Sequence, residues 1–235
     1  MISLYVAIGV FIAYFIESMF GFGGTILALA ILTSFIDIKT AILLVTYAAI
    51  IASSCILISG YKHFSLKHLF KIYLYALPGV FIGTVVFLWM SPANLLKIFA
   101  GFLIFYSLYS LWKPDFKLSP LLSRCVLFLA GIIQGIYGTG APFMLMAYRH
   151  EFKDKSELRS MVAAFLLFGN VLRVAQMYFM GELKADVFLT YYWIVLPVAL
   201  AVGAGFFMHL KLNDRVFKIG VACLMLLAGI SFLFK

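Results

Sequence analysis

The chain of 235 residues is 65% hydrophobic and only 11% charged, against about 45–50% apolar and about 25% charged residues in soluble proteins. This composition excludes a soluble fold, and about 20 apolar residues per crossing limit the chain to about nine or ten spans. The net charge of +9 fits the cationic loops that orient membrane proteins, since no basic run is dense enough for a nucleic-acid groove. The sequence therefore predicts an all-α polytopic integral membrane protein with no nucleic-acid partner.

Eight apolar blocks follow one another along the chain, separated by short polar connectors. They cover residues 2–35, 40–60, 69–90, 95–112, 121–148, 160–180, 187–208 and 216–234. Six blocks have the length of an ordinary spanning helix. The first and fifth are longer and contain glycine clusters, and the fifth also contains a proline, all of which weaken a helix. We therefore expect a broken helix in each of these two blocks.

The two halves of the chain resemble each other. Similar residues recur at nearly constant separations of 117 or 119 positions, as in Gly21 and Gly138, Gly23 and Gly140, Tyr73 and Tyr192, Pro78 and Pro197, and Asn94 and Asn213. A constant offset through half a chain indicates two homologous units. We predict a first unit at 1–112, a linker at 113–120 and a second unit at 121–235.

Loop charges indicate how the broken blocks lie in the membrane. If blocks one and five enter and return to the same face, 13 of the 17 loop cations share one side, whereas full crossings divide them nine to eight. By the positive-inside rule the cation-rich side is cytoplasmic. The charge count favours a re-entrant hairpin for block five, and the repeat predicts the same hairpin for block one. Each unit is then a re-entrant hairpin plus three transmembrane helices, the second unit is inverted, and both termini lie outside.

The sequence resembles the sulfite exporter TauE/SafE family of bacterial membrane permeases over essentially its whole length. The matching features are Gly21-Phe22-Gly23-Gly24, Gly138-Thr139-Gly140-Ala141-Pro142 and, after each break, an apolar helix with interspersed polar residues. The resemblance implies a secondary exporter or permease in the bacterial inner membrane. Its implied substrate is a small sulfur-containing or organic anion such as sulfite or a sulfonate, moved by alternating access.

The helix breaks are the first candidate substrate site. A helix that resumes after a break presents free N–H donors and a partial charge of about +0.5, which attract anions. The predicted substrate-binding residues are Gly21, Gly23, Gly24, Thr25, Gly138, Thr139, Gly140 and Ala141. We expect these residues to form two facing anion cradles. In the alternative interpretation the glycines only allow close helix packing.

Arg173 is the one cation that the sequence places within a span. An unpaired Arg at mid-span costs about 2.5–3.5 kcal/mol on insertion scales, so a partner or an aqueous cavity is expected. We predict that Asn170, one turn earlier, and Gln176, on a neighbouring face of the same helix, bind the anion together with Arg173. In the alternative interpretation Arg173 reaches the outer headgroups.

Glu17 is the only acid well inside an apolar block, and Gln134 occupies the equivalent position of the second unit. Four roles are open for Glu17: carrying a coupling proton, pairing with Arg173, coordinating a cation, or bonding to backbone N–H groups freed by the break. Glu17 and Gln134 are therefore candidate coupling residues.

The sequence contains no cofactor motif and no metal-ligand spacing. Its three cysteines, Cys55, Cys125 and Cys223, are far apart in apolar sequence and predict neither a disulfide nor a metal site. An intramembrane enzyme would need at least two convergent ionisable groups. It remains an alternative to the transporter, together with a non-transporting subunit of a membrane complex. Homo-oligomerisation is left open.

Overall fold

The computed structural model describes residues 2–20, 23–112, 118–152, 154–208 and 214–233, and within these ranges the chain is helical and has no strand. Helices α1 to α11 cover Ile2–Phe20, Gly24–Leu32, Ile38–Ser59, Leu66–Trp89, Pro92–Trp112, Pro120–Tyr137, Ala141–Tyr148, Lys155–Phe179, Ala185–Thr190, Val195–Met208 and Asp214–Leu233. Short 3-10 helices lie at Tyr61–His63, Arg149–Glu151 and Tyr192–Ile194. Five helices, α3, α4, α5, α6 and α8, contain stretches long and apolar enough to cross a membrane. The prediction of a multi-pass helical membrane protein is confirmed.

Polar side chains start all five of these helices. Each accepts a hydrogen bond from the backbone N–H three residues later, which satisfies one of the donors that a helix leaves free at its beginning. These capping residues are Asp37, Ser65, Ser91, Ser119 and Asp154. The connectors therefore fix where α3, α4, α5, α6 and α8 begin.

Both blocks that are predicted to be broken are broken at glycine. Gly23 precedes α2 with a φ of 93° and Gly138 ends α6 with a φ of 73°, a left-handed conformation that glycine adopts without strain. After each break the chain runs back along the preceding helix. A Cβ on Gly24 would lie 2.1 Å from the carbonyl oxygen of Ala13, and one on Gly140 would lie 2.1 Å from that of Ala130. The helices α1 and α2, and likewise α6 and α7, therefore form two hairpins.

The seventh block does not form the single spanning helix that the sequence predicts. It divides into α9, a 3-10 helix and α10, which has 14 residues. Pro197 has no N–H to bond the carbonyl of Trp193, and proline is tolerated best in the first turn of a helix. The equivalent Pro78 lies inside the continuous helix α4, so the proline alone does not decide whether the helix continues.

Each hairpin packs against a helix from the other half of the chain. Helix α6 contacts α4, α1 contacts α10, α3 contacts α8, and α5 contacts α11. The crossing of α4 and α6 is especially close because Gly79, Gly83, Gly131 and Gly135 bring the two backbones together. The returning helices α2 and α7 lie against α3 and α8 respectively. The two breaks are therefore enclosed by other helices.

Candidate functional site

The second break brings three polar side chains to one glycine. Asn170 of α8 donates its Nδ2 to the carbonyl of Gly138 at 3.2 Å. A Cβ placed on Gly138 would lie 2.8 Å from Asn170 Oδ1, 3.2 Å from Thr46 Oγ1 and 3.7 Å from Arg173 Nη1. All three side chains are fully buried, and Asn170 Oδ1 has no hydrogen-bond partner. The predicted residues Gly138, Asn170 and Arg173 therefore form one polar cluster in the interior, and the predicted Thr139 and Ala141 are buried in the same break.

Arg173 is anchored at the C-terminal end of α6. Its Nε donates to the carbonyl of Gly135 at 2.7 Å, its Nη2 to that of Ile136 at 3.2 Å, and its Nη1 to the hydroxyl of Thr46. The guanidinium also stacks on the ring of Phe87, 4.4 Å from the centroid. Because these carbonyls carry the partial negative charge of a helix C-terminus, they stabilise the cation. The side chain is fully buried, so the alternative in which Arg173 reaches the headgroups is wrong.

Arg173 still has capacity for an anion. A guanidinium has five N–H donors, and the three bonds above leave one on Nη1 and one on Nη2. The one ion pair among the described residues joins His68 and Glu157, so no described carboxylate neutralises Arg173. Among the described residues, backbone and hydroxyl dipoles and the Phe87 ring therefore stabilise the charge of Arg173, and two of its donors are spare.

Gln134 caps the helix that returns after the second break. Its Oε1 accepts a hydrogen bond from the backbone N–H of Gly140 at 2.7 Å. Its Nε2 is buried without a partner and lies against Gly169, where it would be 2.9 Å from an added Cβ. Gln134 therefore occupies the N-terminus of α7 and leaves both N–H donors of its amide unused beside Gly169, the residue before Asn170.

Glu17 caps the helix after the first break in the same way. Its Oε2 accepts from the backbone N–H of Thr25 at 2.6 Å and from the Thr25 hydroxyl. Its Oε1 is buried without a partner. Of the four roles open for Glu17, the structure contains the bond to a freed backbone N–H and does not contain a pair with Arg173. Gly21, predicted to belong to this break, lies outside the described residues.

Two of the backbone donors that we expect to be free for an anion are therefore occupied. The N–H groups of Thr25 and Gly140 already bond to Glu17 and Gln134. The sequence does not reveal this, because the capping side chains precede the donors by six or eight residues and reach them only after the chain folds back. At these two N–H groups the predicted backbone cradles are filled by the protein's own side chains.

The two breaks are linked through α3. Tyr14, one turn before Glu17 on α1, donates its hydroxyl to the carbonyl of Val45 at 3.0 Å. The next residue, Thr46, accepts a hydrogen bond from Arg173 at the second break. That the two predicted cradles face each other stays a prediction.

Gln176 lies away from the cluster. Its Nε2 donates to the carbonyl of Phe81 on α4 at 3.1 Å. Thr46 and Phe87, which the sequence analysis does not single out, take its place around Arg173. A hydroxyl in an apolar helix is a weak signal because it commonly bonds back to its own helix, as Thr46 also does to Ile42.

Potential metal-ligating side chains are scattered in the described part of the chain. Among the described residues no group of three or more His, Cys, Asp or Glu side chains is arranged to hold a metal ion. The three cysteines are unpaired, with Cys55 half-buried and Cys125 and Cys223 exposed. Only polar side chains and freed backbone groups are thus available for ligand binding in the described interior.

Long apolar helices, two broken-helix hairpins and a buried polar cluster at the second break define a multi-pass membrane protein of the transporter class. The chain belongs to the sulfite exporter TauE/SafE family, whose model matches residues 5–232. Members of this family are membrane transporters and not enzymes. Neither a curated protein nor a solved structure matches the chain. The predicted resemblance is confirmed, and with it the expectation of a small anionic substrate and a lipid environment.

Proposed function

We propose that the protein is a secondary transporter that moves a small sulfur-containing or organic anion, such as sulfite or a sulfonate, by alternating access. The observation that carries this proposal is Arg173, a fully buried guanidinium with no described carboxylate partner beside a broken helix. A permanent cation in a low-dielectric interior attracts an anion strongly. Substrate sites of secondary transporters are built where helices are interrupted.

The proposed substrate site comprises Arg173, Asn170 and Thr46 around Gly138. The two spare N–H donors of Arg173 match two oxygens of a sulfite or sulfonate. Gln134 Nε2, which lies against Gly169 of α8, is a further donor next to Asn170. Gly138 keeps this space open because it has no side chain. The first break, with Gly23, Gly24 and Thr25, forms the corresponding site of the other unit.

The helix pairing supports two inverted units at 1–112 and 121–235, joined by a linker at 113–120. The contact of α4 with α6 has its counterpart in that of α10 with α1, while α3 with α8 and α5 with α11 pair equivalent helices. A twofold axis between the units would produce this pattern. Alternating access then consists of one unit rocking against the other.

Contacts between helix ends support the proposed orientation in the bacterial inner membrane. His68 near the start of α4 lies 3.4 Å from Glu157 near the start of α8, and both of these helix ends are proposed to be cytoplasmic. Lys39 Nζ near the start of α3 donates to the carbonyl of Leu88 near the end of α4 at 3.1 Å, and both of these ends are proposed to be outside. Both termini are outside in this arrangement.

Flux through the purified protein in liposomes tests the function directly. Sulfite and methanesulfonate should cross vesicles that contain the protein faster than protein-free vesicles. Dimethyl sulfone, a neutral molecule of similar shape, should cross both at equal rates because Arg173 selects charge. Correctly folded protein that moves neither anion would contradict the proposal and favour a non-transporting subunit of a membrane complex.

A further inference from the structure

Equivalent positions of the two units hold two different side chains with the same structural role. Glu17 and Gln134 are 117 residues apart, and each uses one oxygen to cap the helix that returns after a break. The distances are 2.6 Å from Thr25 N to Glu17 Oε2 and 2.7 Å from Gly140 N to Gln134 Oε1. Each side chain leaves its second polar atom buried without a partner. These atoms, Glu17 Oε1 and Gln134 Nε2, differ in chemistry.

The difference matters for an anion. An amide Nε2 is always a hydrogen-bond donor, whereas a carboxylate oxygen is only an acceptor until it is protonated and becomes an O–H donor. A buried anion needs donors and is repelled by a second negative charge. The second break can therefore receive an anion at any protonation state, but the first break can do so only when Glu17 carries a proton.

A cation is present near the first break, as at the second. Arg159 donates from Nη2 to Ser18 Oγ at 3.3 Å, and its Nε is buried without a partner. Its guanidinium lies 5.6 Å from the ring centroid of Phe206. Helix α8 thus supplies one arginine to each break, Arg173 to the second and Arg159 to Ser18, next to Glu17, at the first.

The other elements around Glu17 add few ionisable groups. Helices α2 and α10 have none, and the described side chains of α11 include only Cys223. On α1 itself, Tyr14 donates its hydroxyl to the carbonyl of Val45 at 3.0 Å. Helix α3 carries three more, of which Lys39 bonds to Leu88, Tyr47 packs on Phe188 and Cys55 is half-buried. Glu17 is therefore the acid on which protonation of this break depends.

We propose that Glu17 carries the coupling proton of transport, so that an anion occupies the first break only together with a proton on Glu17 Oε1. This inference rests on the proposed function. A proton from water on the loading side forms the O–H bond, the acid donates that bond to the anion, and both leave on the other side. The carboxylate is then regenerated, and one proton accompanies each anion.

Methanesulfonate is the suitable probe, because its own charge does not change across the assay pH range, as that of sulfite does. Above the pKa of the coupling acid, the KM of the wild-type protein should rise about tenfold per pH unit, following the protonated fraction. An inward proton gradient should drive accumulation. Glu17→Gln copies Gln134, so it keeps the cap on Thr25 and supplies a permanent donor. Its transport should continue with a flat pH profile and no response to the gradient.

Two further variants sharpen the test. Gln134→Glu should give the second break its own proton requirement and steepen the loss of transport at high pH. Glu182→Gln, which removes an exposed acid in a connector, should keep the wild-type profile. A second measurement does not depend on flux. When methanesulfonate is added to weakly buffered wild-type protein, the protein should take up a proton, and a pH-indicator dye reports this uptake. Glu17→Gln should take up none.

Several results would overturn the coupling role. They are a Glu17→Gln variant with the wild-type pH profile, a folded Glu17→Gln variant that is inactive with methanesulfonate, and equal proton uptake by both proteins. Wild-type flux that is independent of pH would remove the coupling and leave the proposed transporter intact. Folded wild-type protein that moves neither methanesulfonate nor sulfite at any pH would instead contradict the proposed function itself.

Discussion

Arg173 gives the sharpest test of the substrate site, because charge and hydrogen-bond count are changed separately by two substitutions. Of its five N–H donors, three serve Gly135, Ile136 and Thr46 and two remain for an anion. Arg173→Lys keeps the charge, but the three donors of an ammonium match the three protein acceptors and leave none over. Arg173→Gln removes the charge as well.

The expected losses follow from these counts. A hydrogen bond to a charged group contributes about 1.5–3 kcal/mol, and each 1.4 kcal/mol is about tenfold in affinity. Because Arg173→Lys loses both bonds to the anion, it should weaken anion binding about a hundredfold or more, and Arg173→Gln, which also removes the charge, should weaken it further. The neutral variant also deprives the end of α6 of its cation, so it should unfold at a lower temperature as well.

Concentration-dependent flux of methanesulfonate in liposomes, at equal protein abundance, measures these affinities, and thermal unfolding in detergent reports the separate structural effect. Arg124→Gln is the matched control, because Arg124 lies near the start of α6, where its guanidinium is 5.5 Å from the ring centroid of Tyr75. This control should leave the KM unchanged. If Arg173→Gln also keeps the wild-type KM and loses only stability, Arg173 is a helix cap and not a substrate ligand.

Three further predictions concern the hairpins and their orientation. Gly140→Ala should lower the free energy of unfolding by about 1–3 kcal/mol or more, because its Cβ would meet a carbonyl oxygen at 2.1 Å. The control Gly101→Ala, whose Cβ would have nothing within 4 Å, should be neutral or stabilising in the same unfolding assay. Thr46→Val should cost about 1–3 kcal/mol in the same assay, because it leaves a buried arginine donor without its acceptor. Cysteines placed in 113–124 and 149–159 should label from the same face of the membrane, and labelling from opposite faces would refute the re-entrant hairpin of block five.

The helices and their breaks are largely predictable because they depend on local sequence. Apolar length defines the spans, and the clusters around Gly23 and Gly138 mark the two breaks where the structure has them. The seventh block shows the limit of this reasoning. Pro78 and Pro197 occupy equivalent positions, yet one lies within a continuous helix and the other just after a new helix start. A proline at an equivalent position is therefore not sufficient to predict where a helix begins.

The site is less predictable because its contacts join distant segments. Arg173 is recognisable as an intramembrane cation, and Asn170 follows from the helical period. The contact with Thr46 depends on the register between α3 and α8, 127 residues apart in the chain. The Glu17 and Gln134 caps require the chain to fold back over its own break before any donor comes within reach.

The occupied backbone donors have a consequence for the proposed transport cycle. A transporter must bind its substrate tightly enough to load it and weakly enough to release it. If the N–H groups of Thr25 and Gly140 were free, each break would add charge-stabilising backbone bonds to those of the nearby arginine. Glu17 and Gln134 fill these two positions, so in the proposed cycle the anion depends more on side chains such as Arg173. Side chains can change partners when the two proposed units move, and the same capping that hides these two backbone donors would then favour release.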